Sequence, residues 1–319
     1  MSTPFPSTYD RWRYATKPSA WAPAIVAAAL GQALGVAAAG RFDPVAGGLG
    51  LAAFLFQGLA IAWTNAWHGR ANEDVKRRLF PETAPDPTEI PHFLDARALA
   101  RAAGGAVALA LALGMSLELW VQRGGLTVGM AAMLALHGTR WTEPLALDRR
   151  GAGELVQMVG VGFALPWWHA YAQSGTVMPP GLVFLPAFAL LVLAGALASG
   201  LADETVDRWC GKTTFVTRFG GAAVRQGIEG LLMAGTGAWL LLPLLAPRVC
   251  PIWTIVPAAC VLGIEVRAVR RLGAAEDIET YHGLTRYRHR VGSAVARSCT
   301  VLTVTLLVLA LLVRRGVLT

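Results

Sequence analysis

Long apolar stretches separated by polar segments run along the whole chain. A helix needs about 20 apolar residues to cross the roughly 30 Å of hydrocarbon in a bilayer. The pattern therefore predicts nine membrane-spanning helices, of which the fourth is the shortest and ends in a polar run from His137 to Arg140. The predicted spans are 20–39, 45–67, 102–121, 125–138, 155–173, 181–201, 221–245, 251–266 and 296–313.

The distribution of basic residues gives this arrangement an orientation. Lys and Arg accumulate in the cytoplasmic loops of membrane proteins. If the N-terminus is cytoplasmic, the inner segments, with Arg297 at the start of the last span included, contain 23 of the 28 Lys and Arg residues and the outer segments only 5. One span more or fewer would mix the two groups. We therefore expect a cytoplasmic N-terminus and four inner polar loops, which are 68–101, 139–153, 202–225 and 267–295.

The composition supports a membrane protein. Of the 319 residues 55% are hydrophobic and 15% charged, whereas soluble domains contain about 25% charged residues. The net charge of +8 is spread between the apolar segments, so no basic patch for nucleic acid is indicated. The four cysteines form no CxxC pair or zinc spacing. We expect one transmembrane domain over residues 1–319 in a lipid bilayer, namely a bacterial inner membrane. A homo-oligomer is compatible with the sequence.

The polar segment after the sixth span begins Asp203-Glu204-Thr205-Val206-Asp207 and continues to Gly211 and Lys212. Residues four apart lie on one helix face, so Asp203 and Asp207 present two carboxylates to one point at the membrane edge. Such carboxylates repel each other unless a cation lies between them, and Mg²⁺ commonly binds through one or two carboxylates plus substrate phosphates. Lys212 suits a contact with diphosphate oxygens, and Gly211 permits a tight turn. An isolated pair at this spacing is also typical of a solvated loop in which Asp and Arg pair.

A second candidate metal site lies at the end of the second predicted span. On a continuous helix Asn65, Gly69, Asn72 and Glu73 share one face. Asn65 and Glu73 are therefore candidate oxygen ligands, with Gly69 leaving space between them. Asp74 points away on such a helix, but a distortion of one residue near Gly69 would exchange it with Glu73, so both are candidates.

Several further segments surround the Asp203 to Asp207 motif. They are Gly211-Lys212-Thr213-Thr214, Val216-Thr217-Arg218-Phe219-Gly220, Trp141-Thr142-Glu143-Pro144, Gly153-Glu154-Leu155 and Tyr171-Ala172-Gln173-Ser174-Gly175. Together with the motif they resemble the UbiA superfamily of intramembrane prenyltransferases, and the upstream segments are similar to its dihydroxynaphthoate prenyltransferase branch. The resemblance covers most of the chain, and residues 140–220 are its most specific part.

This resemblance implies nine helices around a central cavity that the inner loops cap, and it implies roles for individual residues. Asn65, Glu73, Asp203 and Asp207 would hold Mg²⁺, and Lys212 would contact the diphosphate. Further candidate phosphate contacts are Arg140, Arg208 and Arg77, although the run Lys76-Arg77-Arg78 is also typical of an anchor at the inner surface.

The first motif departs from the usual family pattern NDxxDxxxD. Ala66, Gly69 and Glu73 stand at the three aspartate positions, whereas Asn65 is kept. The resulting NxxxGxxxE resembles the NxxxG/AxxxD motif of UbiA-type terpene cyclases. Trp141 stands where relatives often have tyrosine. These departures favour a terpene cyclase, and the likeness of the 153–155 segment to the dihydroxynaphthoate branch keeps an aromatic prenyltransferase as the alternative.

Both reactions start when diphosphate leaves an allylic carbon. The expected substrate is an isoprenyl diphosphate, namely farnesyl, geranylgeranyl or geranylfarnesyl diphosphate, and the expected cofactor is Mg²⁺. In a cyclase the double bonds of the chain attack the cation, and Trp67 and Trp141 are candidates to stabilise it by cation–π attraction. A transporter or scaffold is less consistent with spans that contain few charges, and a protein that binds isoprenyl diphosphates without turnover is a further alternative.

Overall fold

A computed structural model describes residues 7–80, 94–247 and 249–314. The side chains of five residues inside these ranges are not among those described, namely Ser19, Ala71, Glu73, Asp74 and Arg77. The described residues form helices and short connections, with an isolated bridge between Arg150 and Thr213. The prediction of an all-α chain is thus confirmed.

Helix occupies each of the nine apolar segments. Seven helices are long and apolar enough to cross a membrane among the residues described. The fourth segment holds a short helix of 13 residues, and in the fifth a π-helical turn over Gly160–Ala164 separates two α-helices. The helices are α1 (Thr8–Thr16), α2 (Ala22–Ala39), α3 (Pro44–His68), α4 (Arg70–Leu79), α5 (Ala96–Val121), α6 (Leu126–Gly138), α7 (Gly153–Val159), α8 (Leu165–Ser174), α9 (Leu185–Trp209), α10 (Phe215–Phe219), α11 (Gly221–Leu245), α12 (Ile252–Gly273) and α13 (Tyr281–Arg314).

The ends of the helices follow local chemistry. Gly40 ends α2 with a φ of +66°, which glycine adopts without steric cost. Asp43 caps α3, because its Oδ1 accepts from the backbone N–H groups of Val45 and Ala46 at 3.0 Å each. Pro44 occupies the first turn of α3, where no backbone donor is needed. These residues make a short connection between α2 and α3.

Helices extend into the predicted inner segments. Within 267–295, α12 continues to Gly273 and α13 begins at Tyr281, and within 202–225 α9 continues to Trp209. Polar side chains are accommodated on these helices because they pair with one another. Glu265 of α12 accepts a hydrogen bond from Arg297 at 2.8 Å and forms an ion pair with Arg290, whose Nη2 lies 2.7 Å from Glu265 Oε2. Both arginines are on α13.

The helices pack as a bundle in which α2 lies along α8 and α13, and α9 lies along α11 and α13. The closest approach joins α2 to α8. A Cβ on Gly31 would lie 2.3 Å from the carbonyl oxygen of Pro166, and one on Gly35 would lie 2.7 Å from that of Ala170. Small residues at such contacts let helix backbones approach closely in membranes.

We expect Gly31→Ala to lower the free energy of unfolding by about 1–3 kcal/mol, because the new methyl group meets backbone atoms that have no room to move. Gly104→Ala is the matched control, since a Cβ at Gly104 of α5 meets nothing within 4 Å. Thermal unfolding of the detergent-solubilised proteins measures the difference. An equal loss in both variants would contradict the close packing of α2 on α8.

Several polar connections gather at one end of the bundle, here named the polar end. The backbone N–H of Thr213 donates to the carbonyl of Arg149 at 3.3 Å, which joins the connections after α6 and α9. The rings of Phe80 and Tyr281 stack with centroids 5.0 Å apart, which joins the end of α4 to the start of α13. The polar end comprises α4 and the connections 139–152, 210–220 and 274–280.

Candidate functional site

The last turns of α9 carry both aspartates of the motif. Asp203 and Asp207 lie four residues apart on this helix, so their side chains project from one face. Asp207 is only 6% exposed, whereas Asp203 is half-buried. A buried carboxylate is unfavourable unless it is paired and hydrogen-bonded, so the neighbours of Asp207 define the site.

Lys212 is the first of these neighbours. After α9 ends, Gly211 adopts a φ of +67° and reverses the chain. The backbone N–H of Lys212 donates to the carbonyl of Asp207 at 2.9 Å, and its Nζ lies 3.3 Å from Asp207 Oδ1. The predicted turn at Gly211 is therefore present, and it places the ammonium group beside the carboxylate.

Asn72 of α4 is the second neighbour. Its Nδ2 donates to Asp207 Oδ1 at 3.3 Å, so this residue ties α4 to the end of α9. Asn72 shares the predicted helical face of Asn65 but is not among the predicted site residues. Its amide side chain, one turn after Gly69 in a polar run, was the available signal.

The first motif does not lie on one continuous helix. A turn at Gly69 separates α3 from α4, so the shared helical face assumed for Asn65 and Glu73 is interrupted. Asn65 is at the end of α3, and its Oδ1 is buried without a hydrogen-bond partner among the described residues. The side chains of Glu73, Asp74 and Arg77 lie outside the described part of the structure, and their predicted roles remain predictions.

The connection between α6 and α7 contributes Arg140 in a fixed position. Its Nε and Nη2 donate to the two oxygens of Asp148 at 2.7 and 3.2 Å. Both side chains are largely buried, with exposed fractions of 17% and 9%. Such bidentate pairs are geometrically specific. Arg140 thus has a carboxylate partner that the sequence analysis did not identify.

Two tryptophans contact His68 at the end of α3. The ring of Trp141 stacks on that of His68 with centroids 5.5 Å apart, whereas the ring of Trp67 is tilted by 46° with its centroid 4.6 Å from that of His68. The guanidinium of Arg140 lies 5.1 Å from the centroid of Trp141. Trp67 is 40% exposed, so Trp141 is the better enclosed of the two candidates.

Arg208 is positioned differently from the other candidate phosphate contacts. Its Nη2 lies 2.9 Å from Glu204 Oε1 one turn earlier on α9, and its side chain is 56% exposed. The structure therefore gives it a local partner at the surface and does not bring it to Asp207.

Negative charge accumulates around Asp207. Both Asp203 and Asp148 are close enough to interact electrostatically with it, and Lys212 opposes them. Burial raises the pKa of the neighbouring Cys210 thiol above its ordinary value, whereas Lys212 lowers it. Because Arg140 neutralises Asp148, the aspartates of the motif, Asp203 and Asp207, face one ammonium group, and this excess of negative charge favours binding of a cation.

The donors present suit a hard cation. Asp203, Asp207 and Asn65 offer only oxygen atoms, and the unpartnered Oδ1 of Asn65 is of the type that Mg²⁺ binds. Among the described side chains no three His, Cys, Asp or Glu residues lie together as a metal site. Asp203 and Asp207 fit Mg²⁺ bound through one or two carboxylates, with the remaining positions left to water and phosphate.

The sequence matches no protein-family model and no curated protein. The fold is similar to that of a UbiA homolog from Archaeoglobus fulgidus bound to GPP and Mg²⁺, with a TM-score of 0.65 and 16% identity over 92% of this chain and 99% of the homolog. A structure of a UbiA homolog from that organism with DMAPP and Mg²⁺ gives a TM-score of 0.64 at 16% identity over 92% of this chain and 99% of that one. Digeranylgeranylglyceryl phosphate synthase gives 0.59 at 12% identity, over 95% of this chain and 98% of the synthase. The chain therefore has a UbiA-like fold, and its apolar helices make it a multi-pass membrane protein.

Proposed function

We propose that this chain is a UbiA-superfamily enzyme that depends on Mg²⁺ and ionises an isoprenyl diphosphate at the polar end. The observation that carries the proposal is the buried Asp207, held by Lys212 and Asn72 one turn after Asp203. The similar folds that bind GPP or DMAPP with Mg²⁺ support the same substrate class.

The residues act by binding the leaving group and by excluding water. Asp203, Asp207 and Asn65 would hold Mg²⁺, which supplies Lewis-acid stabilisation of the diphosphate when bound. Lys212 donates to the diphosphate oxygens, and Arg140 adds a second positive charge oriented by Asp148. The bond between the allylic carbon and oxygen breaks, its electron pair leaves with the diphosphate, and an allylic cation remains.

We propose that the cation is then cyclised. Asn65 and Gly69 match the cyclase-like first motif, and no aspartate is available at position 69. The stack of His68 and Trp141 presents aromatic surface near the diphosphate site. Cation–π attraction of this kind contributes about 2 kcal/mol when water is excluded. The alternative is transfer of the isoprenyl chain to an aromatic acceptor, which the likeness of Gly153-Glu154-Leu155 to the dihydroxynaphthoate branch supports.

The same proposal includes the topology. The charge asymmetry of 23 to 5 supports nine crossings, a cytoplasmic N-terminus and a polar end that faces the cytoplasm of a bacterial inner membrane. α6 and the α7–α8 segment would then be the fourth and fifth crossings.

Purified protein with Mg²⁺ and each of geranyl, farnesyl, geranylgeranyl and geranylfarnesyl diphosphate tests the reaction. We expect diphosphate release together with a hexane-soluble product in the absence of any acceptor. Product that forms only when 1,4-dihydroxy-2-naphthoate or a phenol is added would replace the cyclase by the transferase. Chelation of Mg²⁺ with EDTA is the control, and no diphosphate release from any substrate would refute both reactions.

A further inference from the structure

A groove of about 380 Å³ lies between α11 and α12, apart from the candidate site. Its α11 side consists of Met233, Thr236, Gly237 and Leu240, and its α12 side of Gly263, Val266, Arg267 and Arg270. On each helix these positions follow the spacing i, i+3, i+4, i+7, which is one helical face. One face of α11 and one face of α12 therefore form the two walls of the groove.

The groove opens to the outside of the helix bundle. α11 is the least buried of the seven candidate spans, with 22% of its most apolar window buried. Met233 and Leu240 are 44% and 48% exposed. A Cβ on Gly237 or Gly263 would meet nothing within 4 Å, so these glycines face open space and widen the groove. They do not lie at a close contact between helices.

The two ends of the groove differ in chemistry. Because α11 and α12 are antiparallel, Arg267 and Arg270 lie near the polar end, whereas Gly263 and Leu240 lie deeper in the apolar part. Arg270 is paired with Glu229 at 3.1 Å. Arg267 is exposed and makes no ion pair with any side chain that the structure describes. The groove thus offers an unneutralised positive charge above an apolar channel.

We propose that this groove binds an anionic phospholipid, with the phosphate at Arg267 and an acyl chain along the glycine-lined part. The charge matches a phosphate headgroup, and the position of Arg267 at the polar end matches the depth at which headgroups meet the hydrocarbon. Basic pockets between transmembrane helices bind anionic headgroups in this way, and each basic residue contributes about 1 kcal/mol near the membrane surface.

Native mass spectrometry of the full chain, titrated with dioleoyl phosphatidylglycerol or dioleoyl phosphatidylcholine, tests the proposal. We expect one phosphatidylglycerol molecule to bind in preference to phosphatidylcholine. Arg267→Gln should weaken this binding about fivefold, towards the affinity for phosphatidylcholine. Gly263→Leu should weaken the binding of both lipids, because its side chain fills the apolar part of the groove.

Two variants on α5 are matched controls. Arg101→Gln removes an exposed arginine near the polar end, and Gly105→Leu adds the same side chain where a Cβ meets nothing within 4 Å. Equal binding of both lipids to the unmodified protein, or equal losses in Arg267→Gln and Arg101→Gln, would overturn the proposal. Binding of geranylgeranyl diphosphate that depends on Arg267 and exceeds that of phosphatidylglycerol would assign the groove to the substrate instead and also overturn it. If Gly263→Leu fails to fold, the comparison of Arg267→Gln with Arg101→Gln still tests the proposal.

Discussion

Diphosphate release is expected to fall by about 10²–10³-fold in Asp207→Asn, which is the effect typical of losing one group that stabilises charge in a transition state. The substitution keeps the size of the side chain but removes the charge that would hold Mg²⁺. It also leaves Lys212, which lies 3.3 Å away and is 19% exposed, without its carboxylate partner. We expect the loss to appear mainly in kcat, measured as diphosphate released under saturating substrate and Mg²⁺.

Asp277→Asn is the matched control for this variant. Asp277 lies in the connection before α13 and forms an ion pair with Arg286 of that helix. The side chain of Asp277 is 52% exposed. Removing its charge therefore breaks an ion pair at the same end of the molecule but away from the motif. Turnover by Asp207→Asn at the rate of Asp277→Asn would refute the metal assignment. Thermal unfolding of both proteins separates a loss of activity from a loss of fold.

Lys212→Gln is expected to lower kcat/KM by about 100-fold, because a charge-assisted contact to the leaving group is lost in a site with little water. In the proposed reaction the ammonium would contact the diphosphate before and after ionisation, so we expect KM to rise as well as kcat to fall. Lys212→Arg keeps the positive charge and should recover part of the activity. Initial rates over a range of substrate concentrations give both constants.

Arg286→Gln is the control for the lysine variant, since Arg286 is 57% exposed and pairs with Asp277. It removes one cation from the polar end without touching the motif. Equal kinetics of Lys212→Gln and Arg286→Gln would show that Lys212 only neutralises Asp207 and does not bind the diphosphate. Failure of Lys212→Arg to recover any activity would also count against a charge-based role.

The parts of the structure that depend on local sequence could be predicted. Apolar runs indicated the helices, since hydropathy and length decide which segments are stable in a bilayer. The DxxxD spacing placed Asp203 and Asp207 on one face of α9, and Gly211 marked the reversal that follows. Each of these features depends on residues within one or two helical turns.

The contacts between distant segments could not be predicted. Asn72 and Asp207 are 135 positions apart, and no periodicity connects them. Asp148 was visible only as one more charge in a polar connection, although it holds Arg140 in place. The break at Gly69 is a further case, because glycine near a helix end is compatible with both a continuous and an interrupted helix. The polar start of α13 was assigned to a loop because its partner Glu265 lies on another helix.

The reversal at Gly211 divides the candidate site into two parts with different dependence on tertiary structure. Lys212 reaches Asp207 across a loop of a few residues, so its pairing costs little chain entropy and forms wherever α9 forms. Asn72 and Asp148 reach the same place only when α4 and the 139–152 connection are docked. In the proposed reaction, displacement of α4 would leave an anchoring point for diphosphate on α9 and would open the site to water. Capture of the substrate and shielding of the cation would then be functions of different parts of the chain.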